Sequence, residues 1–147
     1  RRLALRAIRD AHAVHVAGDQ HLATLIQHGI EDYRDGPWAF VVPAIVNDYY
    51  GRWWWPEDGV GGGQRDLESP LPWTGDYLDG FGNRVTVEAY ANPESHSRGA
   101  GYGLVRFDKL NHRVTFECWP RDVDVTLSDA QQFPGWPRTV EIPKLER

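Results

Sequence analysis

Apolar and polar residues alternate through the second half of the chain, and this alternation constrains the fold more than any other feature. In RVTVEAYA, residues 84–91, every second position is valine or alanine. Successive side chains of a strand point to opposite faces, so the pattern predicts a strand with one buried face. GLVRFDKLNHRVTFECW, residues 103–119, has the same pattern on both sides of a polar turn. It predicts an antiparallel β-hairpin with strands near 102–108 and 113–119.

The first 46 residues have a different pattern, which predicts the order α-β-α-β. Leucine and isoleucine at helical spacing among arginines predict a helix near 2–11. HAVHVAG then reads as a short strand that is apolar enough to be buried on both faces. Leu22, Leu25 and Ile26 mark one face of a predicted helix near 20–28, and the apolar run 38–46 predicts another strand. This order is typical of a layered α/β domain.

The two patterned regions are separated by a stretch rich in glycine, proline and tryptophan, residues 47–83. Long loops without secondary structure are uncommon inside compact domains and are often functional. At 147 residues the chain suits a single domain, or part of one, with a real hydrophobic core. We therefore divide it into an α/β segment at 1–46, the loop at 47–83, and antiparallel strands with a C-terminal strap at 84–147.

Charge and composition exclude several classes of partner. The net charge is −5 and the basic residues are scattered, which disfavours a nucleic-acid or anionic-membrane surface. No apolar stretch is long enough for a membrane span. The one cysteine, Cys118, cannot form an internal disulfide and is predicted to be a buried apolar residue. The chain has no methionine and begins within a helical pattern, so we expect it to be part of a longer protein.

Gly18-Asp19-Gln20-His21 is the strongest candidate for chemistry. It follows a predicted buried strand, and α/β sheets bind ligands at the carboxyl ends of their strands. Asp19 offers an anionic oxygen, and His21 offers an imidazole nitrogen suited to iron, zinc or manganese. The alternative interpretation is structural: Asp19 caps the predicted helix and His21 lies in its first turn. From these residues alone, both interpretations stay open.

Other candidates are weaker. His28 is predicted near a helix C-terminus, where an imidazolium suits the helix dipole. Glu117, Asp122 and Asp124 could supply a carboxylate pair, but their flanking residues predict an ordinary exposed sheet face. The consecutive tryptophans at 53–55 predict either a loop anchored to the core or an aromatic wall over a ligand. No G-x-S-x-G, P-loop or G-x-G-x-x-G motif is present.

Four longer segments of the sequence add to the evidence from these short motifs. They are HVAGDQHLATLIQHG, DGFGNRVTVEAYANPE, GYGLVRFDK with HRVTFECWPR, and VDVTLSDAQQFPGWPRTV. In this order, over roughly residues 12–140, the chain resembles the C-terminal part of the PhoD-like (alkaline phosphatase D family) metallophosphatases. The element Gly-Asp-x-His is similar to the last metal-site motif of that family, although Gln20 replaces the smaller or apolar residue expected there.

The resemblance implies the C-terminal portion of a layered α/β/β/α sandwich and a binuclear metal centre that hydrolyses phosphate esters. Asp19 and His21 would be metal ligands, for iron, calcium, zinc or manganese. The remaining ligands would lie in the N-terminal remainder of the parent chain, so we expect the isolated chain to be inactive. The resemblance also implies an exported parent protein.

A second functional hypothesis comes from the tryptophans. The chain has seven of them, three of which are consecutive within the Gly/Pro-rich loop. Trp54 and Trp55 would then contact a ligand, either the phosphate-ester substrate or a saccharide. In the latter case the chain would be a non-catalytic binding module.

Overall fold

The computed structural model describes residues 1–18, 21–45, 64–91 and 99–143. Within these ranges the chain is mostly β-sheet with one short helix. In chain order the elements are α1 (Arg2–Asp10), β1 (His15–Ala17), β2 (Thr24–His28), β3 (Trp38–Val41), β4 (Gln64–Arg65), β5 (Gly75–Leu78), β6 (Arg84–Tyr90), β7 (Gly101–Asp108), β8 (Arg113–Pro120) and β9 (Arg138–Glu141).

The described strands form two sheets. The first is mixed and six-stranded, in the order β1-β3-β2-β6-β5-β4; β1 runs parallel to β3 and the other pairs are antiparallel. The second is antiparallel and three-stranded, in the order β7-β8-β9. Asp108 pairs with Arg113 across the turn of β7 and β8, which confirms the predicted hairpin. The fold is therefore of an α/β type dominated by sheet.

The predicted helix near 20–28 is wrong, because Thr24–His28 form the strand β2. β2 lies inside the six-stranded sheet, between β3 and β6, where both of its edges are hydrogen-bonded. An interior strand with apolar neighbours on both faces carries adjacent apolar residues, and Leu25 and Ile26 also match helical spacing. Pairing with β3 and β6 favours the strand over the helix for residues 24–28. The observed N-terminal order is therefore α-β-β-β.

The prediction that the HAVHVAG strand is buried on both faces is also wrong. β1 is the last strand of its sheet, and Val16 is 53% exposed. The segment VDVTL, residues 123–127, alternates apolar and polar residues as a strand would, but it forms turns: the Asp124 carboxylate accepts hydrogen bonds from the backbone N–H and the hydroxyl of Thr126. By contrast, the predicted helix near 2–11 is confirmed, and the strand predicted over 38–46 is confirmed for Trp38–Val41, whereas residues 42–45 are not part of it.

The two sheets share one hydrophobic core. Phe40 of β3 is fully buried, with its ring centroid 5.4 Å from that of Phe116 on β8 and 5.4 Å from that of Trp136. Gly103 of β7 leaves room for this ring, since an added Cβ would lie 2.6 Å from a Phe40 ring carbon. The indole N–H of Trp136 donates to the backbone carbonyl of Tyr90, 3.2 Å away. Aromatic contacts and a hydrogen bond thus join the sheets.

Arginines hold α1 against the connection between β2 and β3. Arg1 donates to the carbonyl oxygen of Gly29 at 3.0 Å, and Arg6 pairs with Glu31. The connection is ordered by Asp35, whose carboxylate accepts backbone N–H groups from residues 30–32. Burial raises the pKa of Asp35, but these hydrogen bonds to the charged form leave it below its usual value.

Among the residues described, no helix has the length and apolar character needed to cross a membrane.

Replacement of Phe40 by alanine tests whether the sheets depend on a shared core. We expect Phe40→Ala to lower the free energy of unfolding by about 3–5 kcal/mol, because a fully buried aromatic ring is lost and a cavity remains. Urea denaturation monitored by tryptophan fluorescence measures this. Phe81→Ala is the matched control: Phe81 is 94% exposed, so its removal should change the free energy by less than about 0.5 kcal/mol. Equal losses in the two variants would contradict the shared core.

Candidate functional site

The candidate motif begins where β1 ends. β1 ends at Ala17 and runs parallel to β3, so both strands present their carboxyl ends at the same edge of the sheet. Asp19 and Gln20 lie outside the described residues. His21 is half-buried, with a backbone φ of 55° in the left-handed region. A left-handed backbone is uncommon for a residue other than glycine and marks a sharp change of chain direction at this position.

The structural alternative for the motif is not supported. Residues 21–23 are not helical and residues 24–28 are a strand, so there is no helix here for Asp19 to cap. Glycine at position 18 is not required by the backbone either. Gly18 lies outside the left-handed region, and among the residues that the structure describes an added Cβ would meet only a Val42 methyl carbon at 3.8 Å, an ordinary contact. The left-handed backbone conformation is found at His21 and not at Gly18.

The donor set of the motif fits part of a metal site. One carboxylate and one imidazole are suitable ligands for transition metals, but they are too few for two cations. In the described ranges, no group of three or more His, Cys, Asp or Glu side chains is arranged to hold a metal ion. That statement does not extend to Asp19. Trp54 and Trp55, the predicted substrate contacts, also lie outside the described residues.

The structure pairs two histidines that the sequence does not link. His15 of β1 and His28 of β2 stack with ring centroids 6.5 Å apart, and Arg1 lies beside them, with a guanidinium nitrogen 3.5 Å from Nδ1 of His28. Burial, the Arg1 guanidinium and the His15 ring lower the pKa of His28 from 6.5 to about 4, against a small opposing effect of Asp79. His28 is therefore neutral at pH 7. The expected imidazolium at a helix C-terminus is wrong, because no helix ends there.

The buried carboxylate of Glu117 has a structural role. It is buried rather than exposed as predicted, it pairs with Arg106, and its Oε2 accepts the indole N–H of Trp119 at 2.9 Å. The hydrogen bond from Arg106 lowers the pKa of Glu117. Its hydrogen-bonding capacity is used within the sheet, which argues against a catalytic acid.

Burial raises the pKa of the Cys118 thiol, which confirms that Cys118 is a packed apolar residue rather than a nucleophile.

Comparison with protein-family models, with curated proteins and with solved structures gave no match to this chain. The resemblance to the PhoD-like metallophosphatases therefore rests on the sequence segments and on the position of Gly18–His21 alone.

The low pKa of His28 predicts how stability depends on pH. The unfolded chain takes up a proton near pH 6.5, whereas the folded chain does so only near pH 4. Stability should therefore fall as the pH decreases through this interval. Because the ring is partly exposed to solvent, we expect a loss on the order of 1 kcal/mol. Urea denaturation between pH 7.5 and pH 4 measures it.

His28→Asn separates this effect from the titration of other groups. The variant should lack the loss between pH 6.5 and pH 4 that the unmodified chain shows, whereas His112→Asn should retain it. Identical pH profiles for the unmodified chain and His28→Asn would contradict the assignment.

Proposed function

We propose that this chain is the C-terminal part of a metal-dependent phosphoric ester hydrolase, in which Asp19 and His21 are ligands of a binuclear metal centre. The observation that carries the proposal is the position of the motif. Gly18-Asp19-Gln20-His21 starts directly after a strand that is parallel to its neighbour, at the sheet edge where α/β proteins bind ligands. The absence of a helix after the motif favours the metal interpretation over the cap.

The chain's own residues would supply two ligands and their support. His21 would present an imidazole nitrogen from a backbone turn, and Asp19 a carboxylate from two positions earlier. β3, whose Phe40 is fully buried, would hold β1 and so the start of the motif in place. The metal ions, when bound, would neutralise charge on the phosphoryl group. The other ligands would come from the N-terminal remainder of the parent protein, which is expected to be exported.

Metal binding by the chain alone can be tested without any activity. Mn²⁺ is paramagnetic and broadens the NMR signals of nearby protons. We expect substoichiometric Mn²⁺ to broaden the imidazole signals of His21, and the effect to require several times more Mn²⁺ in Asp19→Asn, because one of two ligands is lost. His112 is the internal control, since it lies in the turn between β7 and β8. Equal broadening at both histidines would contradict a site at the motif.

Activity can be tested in a longer polypeptide that includes the residues encoded before Arg1. We expect it to hydrolyse p-nitrophenyl phosphate or bis-p-nitrophenyl phosphate in a metal-dependent way. Asp19→Asn or His21→Ala should lower kcat/KM by about 100-fold, because each removes a ligand that positions the metal. Asp66→Asn, in the turn after β4, is the matched control and should be near normal. A longer polypeptide that binds metal at neither residue and cleaves neither ester would overturn the proposal.

A further inference from the structure

The helix α1 buries little of its apolar surface. Of its nine residues only Leu5 is buried, and Leu3 is 83% exposed. Among the residues described, the buried cluster that joins the two sheets includes no side chain of α1. Helices in proteins are stabilised mainly by packing an apolar face against the rest of the fold. The position of α1 therefore depends on polar contacts to an unusual degree.

Arg1 links α1 to the six-stranded sheet. Its guanidinium donates to the carbonyl oxygen of Gly29, just after β2, at 3.0 Å and to that of Arg84, the first residue of β6, at 3.3 Å. Hydrogen bonds from a charged donor are stronger than those between neutral groups. One side chain thus attaches the N-terminal end of the helix to two strands.

The other polar contacts of α1 are exposed to solvent. Arg6 pairs with Glu31, and both side chains are about half exposed. Arg9 donates to the carbonyl oxygen of Asp35 at 3.3 Å, also at the surface. Exposed ion pairs and hydrogen bonds contribute little to stability, because water competes for the same groups. The attachment of the helix is therefore most sensitive to what happens at Arg1.

His28 lies against this attachment. Its Nδ1 is 3.5 Å from a guanidinium nitrogen of Arg1, and its ring stacks on that of His15 with centroids 6.5 Å apart. A neutral imidazole has a lone pair on one nitrogen, which can face an N–H group of Arg1. A protonated imidazole has an N–H on both nitrogens and a positive charge. Protonation of His28 therefore sets a cation against the guanidinium.

The other charged groups around His28 do not remove this repulsion. The carboxylate of Asp79, in the turn after β5, favours the protonated ring, but it is held by the side-chain amide of Asn83 at 3.0 Å. The guanidinium of Arg84 lies over the ring of Tyr33, 5.8 Å from its centroid. With Arg1, the His15 ring and burial acting against Asp79, the pKa of His28 is about 4 instead of 6.5.

We propose that acid releases α1 from the fold: a proton on His28 displaces Arg1 from the two carbonyl groups, and the helix leaves the β2–β3 connection while both sheets stay folded. Release removes the guanidinium from His28, so the released state binds the proton more tightly than the docked state. A lower pH therefore favours release. Leu5 and the carbonyl groups of Gly29 and Arg84 would then be exposed. This inference does not depend on the function proposed for the motif.

Amide hydrogen exchange on the purified chain, with rates divided by those of an unstructured peptide at the same pH, tests the proposal. The probes in α1 are the N–H groups of Leu5 and Ala11, which donate to Arg1 and Ala7. We expect their opening to increase at least about tenfold between pH 6.5 and pH 4.5, as expected for one linked proton. The N–H of Ala91, which donates to Ala23 at 2.9 Å, reports on the sheet and should stay more protected than α1 at both pH values.

Three variants assign the effect to the contact. His28→Asn should keep α1 equally protected at both pH values, whereas His112→Asn, the same change in the turn between β7 and β8, should behave like the unmodified chain. Arg1→Gln should open α1 several-fold more at pH 6.5 and make it less sensitive to acid.

Two results would overturn the proposal. In one, the α1 amides open only together with Ala91, which would mean that the helix unfolds with the sheets. In the other, His28→Asn or Arg1→Gln shows the same increase as the unmodified chain, which would assign the release to another acid-sensitive group such as Glu31.

Discussion

The ring of Phe40 is buried between Phe116 and Trp136, and the contact between the two sheets depends on it. β3 carries Phe40 and lies between β1 and β2, so the same strand fixes the core and supports the sheet edge. Gly103 makes this packing feasible, because any side chain there would overlap with the ring. Close packing of this kind resists small displacements, so the strands that surround Phe40 form a rigid base.

The outer edge of β1 and the start of the candidate motif, Gly18, both lie next to this base. Ala17 is hydrogen-bonded to β3, and the motif Gly18–His21 begins one residue later. Peptide groups alternate in direction along a strand, so the same pairing leaves the N–H and C=O of Val16 pointing away from β3. Function at this end of the molecule would therefore combine a rigid strand with a turn in which His21 has a left-handed backbone. Such strain in a residue other than glycine is common at functional sites.

Local patterns predicted the elements whose burial is one-sided. The hairpin of β7 and β8 and the strand β6 follow from period-two alternation, because one face of each is apolar. β2 was mistaken for a helix since Leu25 and Ile26 fit both periods, and only its pairing with β3 and β6 excludes the helix. The exposure of β1 could not be predicted, because position in a sheet is a property of the whole fold.

In the candidate site, too, some features could be predicted from the local sequence and others depend on the whole fold. Asp19 and His21 are two residues apart, so their proximity is visible in the sequence. His15 and His28 are thirteen residues apart on different strands, and no spacing rule joins them. Glu117 was predicted on an exposed sheet face from its flanking residues, and its burial depends on Arg106 and Trp119, whose side chains the folded sheet brings to it.

Native-state hydrogen exchange, followed by NMR for individual amides, tests the central claim that one core supports an open strand edge. The slowest amides of β2, β6 and β8 should exchange with a single opening free energy, equal to that of global unfolding. The N–H of Ala17 should be protected, and that of Val16 should exchange at nearly the rate of an unstructured peptide. Different opening free energies for the two sheets, or equal protection of Val16 and Ala17, would contradict this account.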